Sequence, residues 1–214
     1  YSISMNISPL IKRRGLLLVL SSPSGAGKSS IAKRLLETIK DLTLSISATT
    51  RKPRLTEENG KDYYFVSNDE FVEMIDNGEF LEHANVFENS YGTLKATVDS
   101  AIDMGNDILF DVDWQGADAI QRYGGDDVVS IFILPPSLGE LEKRLRLRGQ
   151  DSNEVVERRM RLAANEISRW TNYNYVIVNN NINRCVAEVE AVLTAERLRR
   201  HRQVGLNKYI EDLF

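Results

Sequence analysis

The sequence predicts an α/β fold, a mostly parallel central sheet with helices packed on its faces. Three observations carry that reading. Short apolar runs recur along the chain, amphipathic stripes at helical spacing lie between them, and a Gly/Ser-rich loop joins the first run to the first stripe. Continuous apolar runs suit strands buried on both faces, and their alternation with helices marks a doubly wound sheet.

The elements follow in order. Gly15 leads into Leu16-Leu17-Leu18-Val19-Leu20, which reads as a buried strand, and Ser21 to Gly27 is a loop by composition. Ile31, Ala32, Leu35, Leu36 and Ile39 then fall on one helical face, with Lys33, Arg34 and Glu37 outside it. Asp107–Val112, Val128–Leu134 and Tyr175–Val178 are the further buried strands. Helical stripes run through Leu94, Val98, Ala101 and Ile102, with Gly105 as the stop, and through Leu138, Leu141 and Leu145. Two more run through Val155, Val156, Met160, Ala163 and Ile167, and through Val186, Val189, Val192, Leu193 and Leu198. Residues 47–96 break the pattern with polar turns and short segments such as Tyr63–Val66 and Phe80–Val86, so they read as a small α+β insertion. Gly149–Asn153 is a polar turn between two Arg-rich helices, a pair that could serve as a lid. The expected division is a core of residues 5–46, 97–136 and 168–214, an insertion at 47–96 and a helical lid at 137–167.

Composition removes several function classes. Lys plus Arg is 27 against 31 Asp plus Glu, a net charge of −4, which argues against a general polyanion binder. Acidic residues interleave with the arginines of 137–167, which argues against a nucleic-acid patch there. With 42% apolar and 27% charged residues the chain is neither disordered nor collagen-like, and it can bury a sizeable core. The longest wholly apolar run, Leu16 to Leu20, is too short to span a bilayer and lacks the features of a secretory signal. Cys185 is the single cysteine, so no internal disulfide forms, which suits a reducing, cytoplasmic setting. Met5 reads as the natural start.

The strongest local signal is Ser22-Pro23-Ser24-Gly25-Ala26-Gly27-Lys28-Ser29. It matches the phosphate-loop pattern Gly-x4-Gly-Lys-Ser/Thr except at the first position, where Ser22 stands. Gly25 and Gly27 can adopt backbone angles that aim successive N–H groups inward, and the following helix presents unpaired N–H groups and its positive dipole end. Lys28 adds a charge at the β/γ-phosphates and the Ser29 hydroxyl can ligate Mg²⁺. Ser24, Gly25, Ala26, Gly27, Lys28, Ser29 and Ser30 therefore form the expected nucleotide-phosphate cradle, a loop that GTPases and ATPases share. Further on, Pro53 holds Lys52 extended, so Arg51 and Arg54 can project from a non-helical segment and clamp a second phosphate. An isolated Arg-x-x-Arg is more often a solvated basic loop.

From about Leu16 to about Arg200 the chain resembles the guanylate kinase family, with bacterial-type members the nearest match. The motifs are the Pro-Ser-Gly-Ala-Gly-Lys-Ser loop, Thr49-Thr50-Arg51-Lys52-Pro53-Arg54, Gly60-Lys61-Asp62-Tyr63, Leu81-Glu82-His83-Ala84 and Tyr91-Gly92-Thr93. Asp111-Val112-Asp113-Trp114-Gln115-Gly116, Ile133-Leu134-Pro135-Pro136-Ser137, Arg148-Gly149-Gln150-Asp151 and Tyr175-Val176-Ile177-Val178-Asn179 continue the series in family order. The family fold is a P-loop NTPase core of three layers with a GMP-binding insertion and a lid.

The resemblance implies the remaining site residues. Ser47, Glu82, Thr93 and one or both of Asp111 and Asp113 match guanine-site positions. A carboxylate can accept from guanine N1–H and N2–H while a hydroxyl donates to O6, and adenine cannot satisfy that set. Arg51, Arg54, Tyr63 and Tyr91 match ligands of the GMP phosphate. Arg144, Arg148 and Arg159 match arginines that face the phosphates when the lid shuts, whereas Arg146, Arg158 and Arg161 read as surface residues. Asn179 matches a position near the adenine, and Asn180 replaces the usual aspartate after it. Asp111 and Asp113 end a core strand, where either could hold Mg²⁺ or its waters beside Ser29, so the base and metal assignments both stay open.

The implied reaction is ATP + GMP = ADP + GDP, with dGMP as a further acceptor. The acceptor oxygen belongs to a phosphate monoester whose second pKa is near ~6. It is therefore ionised at neutral pH, no general base is needed, and His83 and His201 have no catalytic part. Two other readings share some of the pattern. One is a non-catalytic guanylate-kinase-like binding module, against which the intact phosphate loop argues. The other is a related kinase for another small phosphate, such as ribose 1,5-bisphosphate, against which the guanine set argues. The basic-then-apolar segment from Ala195 to Phe214 could be a packed terminal helix or part of a homo-oligomer contact.

Overall fold

The computed structural model describes residues 11–86, 88–147 and 153–214. Met5, Arg148 and the start of the polar turn after it lie outside the described residues. The central sheet has five strands in the order β2-β7-β1-β8-β9. They are β1 (Leu17–Ser21), β2 (Leu42–Leu44), β7 (Asp107–Asp111), β8 (Val128–Leu134) and β9 (Tyr175–Val178). Every pairing within this sheet is parallel. Leu16 to Leu20 are all fully buried. The period of two sends Leu16, Leu18 and Leu20 to one face and Leu17 and Val19 to the other. On the first face they meet Ile31 and Leu35 of α1 (Lys28–Thr38) and Val189 and Leu193 of α7 (Ile182–Arg197). On the second they meet Val98 and Ile102 of α3 (Lys95–Asp103) and Ala117 and Ile120 of α4 (Trp114–Gly124). The result is the three-layer α/β core that the sequence predicts.

A second sheet is formed within residues 47–94, in the order β4-β3-β6-β5. Its strands are β3 (Ser47–Thr49), β4 (Tyr64–Phe65), β5 (Phe80–Val86) and β6 (Asn89–Leu94). α2 (Asn68–Asp76) covers it, with Phe71 stacked on Phe80 at 4.5 Å beside buried Ala48. Gly92 is required here, because a Cβ at that position would stand 2.6 Å from the Phe80 ring. α5 (Leu138–Leu147) and α6 (Asn153–Ile167) carry their own small core of Leu141, Leu145, Val156 and Ala163.

Three elements owe their bounds to edge position or polar caps. β2 is a short edge strand with exposed Thr43 and Leu44. α2 begins with a capping box between Ser67 and Glu70, and α4 begins at an Asp113 cap, both set by polar chemistry. In the terminal segment Arg202 is fully buried. It donates to the Asp126 carbonyl at 2.8 Å and pairs with Asp127 and Glu196, while its own carbonyl accepts from Arg14 N–H at 2.7 Å. The segment ends in α8 (Leu206–Glu211), with Leu213 and Phe214 exposed. Burial pushes the Cys185 thiol up to about 11, as befits an inert side chain inside α7. Among the described residues no helix is long and apolar enough to cross a membrane.

Candidate active site

The loop between β1 and α1 opens at the carboxyl end of the central strand. Gly25 and Gly27 have φ of 93° and 99°, the left-handed region that side chains disfavour. Gly27 is constrained twice, because a Cβ there would also lie 2.5 Å from Asn179 Nδ2. Asn179 is itself buried. Its Nδ2 donates to the Ala26 carbonyl at 2.8 Å and its backbone N–H donates to Leu134 O at 2.8 Å, so it braces the loop from the end of β9. α1 has no side-chain cap, which leaves its first-turn N–H groups facing the loop, with Ser29 and Ser30 exposed beside them.

Lys28 Nζ donates to the Val112 carbonyl at 2.9 Å and forms an ion pair with Asp111. The parallel register explains this meeting, since Leu20 of β1 stands opposite Asp111 of β7. Asp111 Oδ1 is buried and takes part in no well-angled hydrogen bond; the ion pair with Lys28 neutralises it. Asp113 does different work. Its Oδ1 accepts from Gln115 N–H and Gly116 N–H at 3.0 Å each and so starts α4.

Beside the loop, Gly25, Gly27, Ser30, Arg144, Asn179 and Asn180 line an open cleft of about 460 Å³. Arg144 donates to Glu140 at 3.0 Å and to the Asn179 carbonyl at 3.3 Å. Arg159 lies half-buried on α6, and Arg158 and Arg161 are exposed, as is Arg146 on α5. Near the end of α6, Glu166 accepts from the Ser24 N–H at 3.3 Å. Burial raises its carboxyl pKa first and Asp113 adds to the rise, against lowering by the Ser24 N–H and Lys28. No spacing or motif singled out Glu166. A carboxylate one residue before the last apolar position of a helical stripe carries no signal of its own.

The insertion assembles a second group by register. Ser47 of β3 and Glu82 of β5 both pair with Thr93 of β6, so the three stand side by side across the sheet. A shift in register between Phe80 and Glu82 brings Glu82, rather than Leu81, opposite Thr93, and the Thr93 hydroxyl donates to Glu82 at 2.8 Å. Leu81 packs into the core cluster with Ala117 and Ile120, which anchors β5 to the helix that begins at Asp113.

Two residues further along, Thr49 pairs with Tyr91, on the same face and roughly 7 Å away. The Tyr91 and Tyr63 rings meet edge-on at 6.1 Å, and the Arg51 guanidinium lies over Tyr63 at 5.3 Å. Hydrogen bonds that the guanidinium donates to Glu57, and secondarily its hydrogen bonding with Tyr91, raise the Arg51 pKa. Arg51, Tyr63 and Tyr91 are thus gathered, whereas the Arg54 side chain is exposed and only its backbone N–H joins the group, through Glu57.

A sequence profile described as guanylate kinase matches residues 14–196. The chain belongs to the guanylate kinase family. The guanylate kinase of Paramagnetospirillum magneticum is 52% identical over 205 residues, covering 96% of each chain. That of Sphingopyxis alaskensis is 53% identical over 203 residues, covering 95% of this chain and 92% of its own. The crystal structure of guanylate kinase from Anaplasma phagocytophilum superposes with a TM-score of 0.70 at 40% identity, covering 95% of this chain and 97% of that one.

Proposed function

We propose that this guanylate kinase moves the γ-phosphoryl group of ATP to GMP, and to dGMP, in purine nucleotide metabolism. The observation that carries the acceptor choice is the cross-strand row Ser47–Thr93–Glu82. A hydroxyl hydrogen-bonded to a carboxylate orients that carboxylate, whose free lone pairs suit guanine N1–H and N2–H. An adenine ring would leave them unpaired, at a cost of about 1–3 kcal/mol. Arg51, Tyr63 and Tyr91 then take the acceptor phosphate, with Arg54 turning in from its exposed position.

On the donor side, the N–H groups of the loop from Ser24 to Ser30 and the Lys28 ammonium hold the ATP phosphates. The cleft of Arg144, Asn179 and Asn180 takes the adenosine end. Arg148 and Arg159 complete the charge around the transferring group, and closure of residues 137–167 keeps out water that would otherwise accept it. The reaction demands alignment and neutralisation of two mutually repelling phosphates rather than proton abstraction.

The Asp111 carboxylate, whose buried Oδ1 lacks a well-angled donor but pairs with Lys28, and the exposed Ser29 hydroxyl are the oxygen donors beside the loop that suit a hard cation. These two residues would hold Mg²⁺, with phosphate and water oxygens as its other ligands. When bound, the ion offsets phosphate charge. Asp113, committed through Oδ1 to the α4 cap, is left for the guanine side through its other oxygen. We place the reaction in the cytoplasm, where both nucleotides are supplied.

A coupled ADP-release assay with GMP, dGMP, AMP, UMP and ribose 1,5-bisphosphate tests the assignment. GMP and dGMP should turn over and the others should not. Equal turnover with AMP would sink the guanine reading, and turnover with the bisphosphate alone would establish the other kinase.

A further inference from the structure

Glu57 belongs to no motif described above, yet it is the most engaged carboxylate of the insertion. Its two oxygens lie 2.8 and 3.0 Å from Arg51 Nη2, and Oε2 also accepts from the Arg54 N–H at 2.8 Å. The pair is shielded, with 19% of the Arg51 side chain and 14% of the Glu57 side chain exposed. A third restraint comes from Arg51 Nη1, which donates to the Lys52 carbonyl at 2.9 Å, and a fourth from the Tyr63 ring beneath the guanidinium.

We propose that Glu57 is a positioning residue for the acceptor phosphate, locking Arg51 in the one rotamer that offers its remaining donors to GMP. The inference rests on the reading of Arg51 as a GMP-phosphate ligand. A guanidinium has five N–H donors. Glu57 approaches end-on, with both oxygens on Nη2, the nitrogen common to both edges, so the phosphate is met by single hydrogen bonds from the donors that remain. Nε–H and the second Nη1 hydrogen stay outside the contacts to Glu57 and the Lys52 carbonyl, for an incoming oxygen. An untethered arginine surrenders its rotamer freedom when ligand arrives, which weakens binding; the tether shifts that loss to folding. Hydrogen bonds from Arg51, then from Arg54, hold the Glu57 carboxyl below its ordinary range, so the tether stays ionised throughout the neutral region.

A carboxylate that merely filled the phosphate's place would make similar contacts, and the two roles differ in sign. Calorimetric titration of the full chain with GMP and with guanosine, which lacks the phosphate, separates them. Glu57→Ala should weaken GMP binding roughly tenfold, in line with loss of a preorganised arginine, and leave guanosine unchanged. In an Arg51→Ala background it should have no further effect, since Glu57 acts through Arg51. Glu57→Gln, which keeps one oxygen for Arg51, should lose less than Glu57→Ala, and it serves as the second variant should the alanine form fail to fold. Tighter GMP binding in either variant, an equal loss for guanosine, or losses that multiply in the double variant would overturn the proposal. If Arg51→Ala leaves GMP affinity intact, the underlying Arg51 reading falls. If Arg51→Ala weakens GMP and Glu57→Ala does not, the inference about Glu57 alone falls.

Discussion

The phosphate loop and the insertion present charge to ligands in opposite ways. The loop uses backbone: its glycines, the uncapped start of α1 and a single lysine are held by fully buried β1 on one side and by Asn179 on the other. The insertion uses side chains, drawn from separate strands and turns and kept in place by one another, as in Thr93 on Glu82 and Glu57 on Arg51. Backbone donors cannot be deleted by changing a side chain, but they depend on geometry. Side-chain donors tolerate movement of the backbone but are lost one at a time.

Lys28→Ala tests the exception on the loop side, a side chain with a full charge. Turnover should fall by about a hundredfold or more, as for loss of a transition-state charge contact, and near-parental rates in a steady-state assay would remove Lys28 from the chemistry. Gly27→Ala tests the backbone rule directly. It adds no charge and removes none, yet the Cβ meets Asn179 Nδ2 at 2.5 Å with φ at 99°. ATP affinity, measured by titration, should drop at least tenfold or so through strain alone, and Asn179→Ala should relieve only the clash, not the backbone angle. Glu82→Ala breaks the other arrangement at one residue. GMP should weaken by about 1–3 kcal/mol while AMP becomes relatively better used, with the Lys28 site intact and the KM for ATP unchanged.

The smallest effect concerns Glu166, where loop and helix meet. Burial raises its folded-state pKa, so its contribution to stability is complete below the ordinary glutamate value of about 4.3 and is lost as pH rises through the higher folded value. Glutamine does not ionise. Glu166→Gln should therefore melt higher than the parent at pH 8 and level with it near pH 4; a lower melting temperature at pH 8 would mean that the Ser24 contact needs the charge.

What was legible in sequence follows the same division. The central strands, the phosphate loop and α1 declare themselves because burial on both faces and a glycine spacing leave local marks. The row Ser47–Thr93–Glu82 could be reached only through resemblance, since cross-strand register joins residues nearly fifty positions apart and a displaced pairing before Glu82 decides which of two neighbours faces inward. Asn179 was expected near the adenine, and the structure shows it lining the cleft beside Gly25, Ser30 and Arg144. Its hydrogen bond to Ala26 was invisible, because nothing in a strand-ending asparagine says which carbonyl it will find. The burial of Arg202 was equally hidden: nothing in four arginines within six residues says that one of them will find the Asp126 carbonyl and two carboxylates. Glu57 and Glu166 escaped notice because each matters only through a partner.

The brace from Asn179 to the loop has a practical consequence for anyone building chimaeras. The eight-residue phosphate motif is not a portable cassette, because its second glycine is fitted to an amide contributed from the other end of the chain. Transplanting the motif alone imports a gap or a collision, and a donor loop should travel with the strand terminus that backs it.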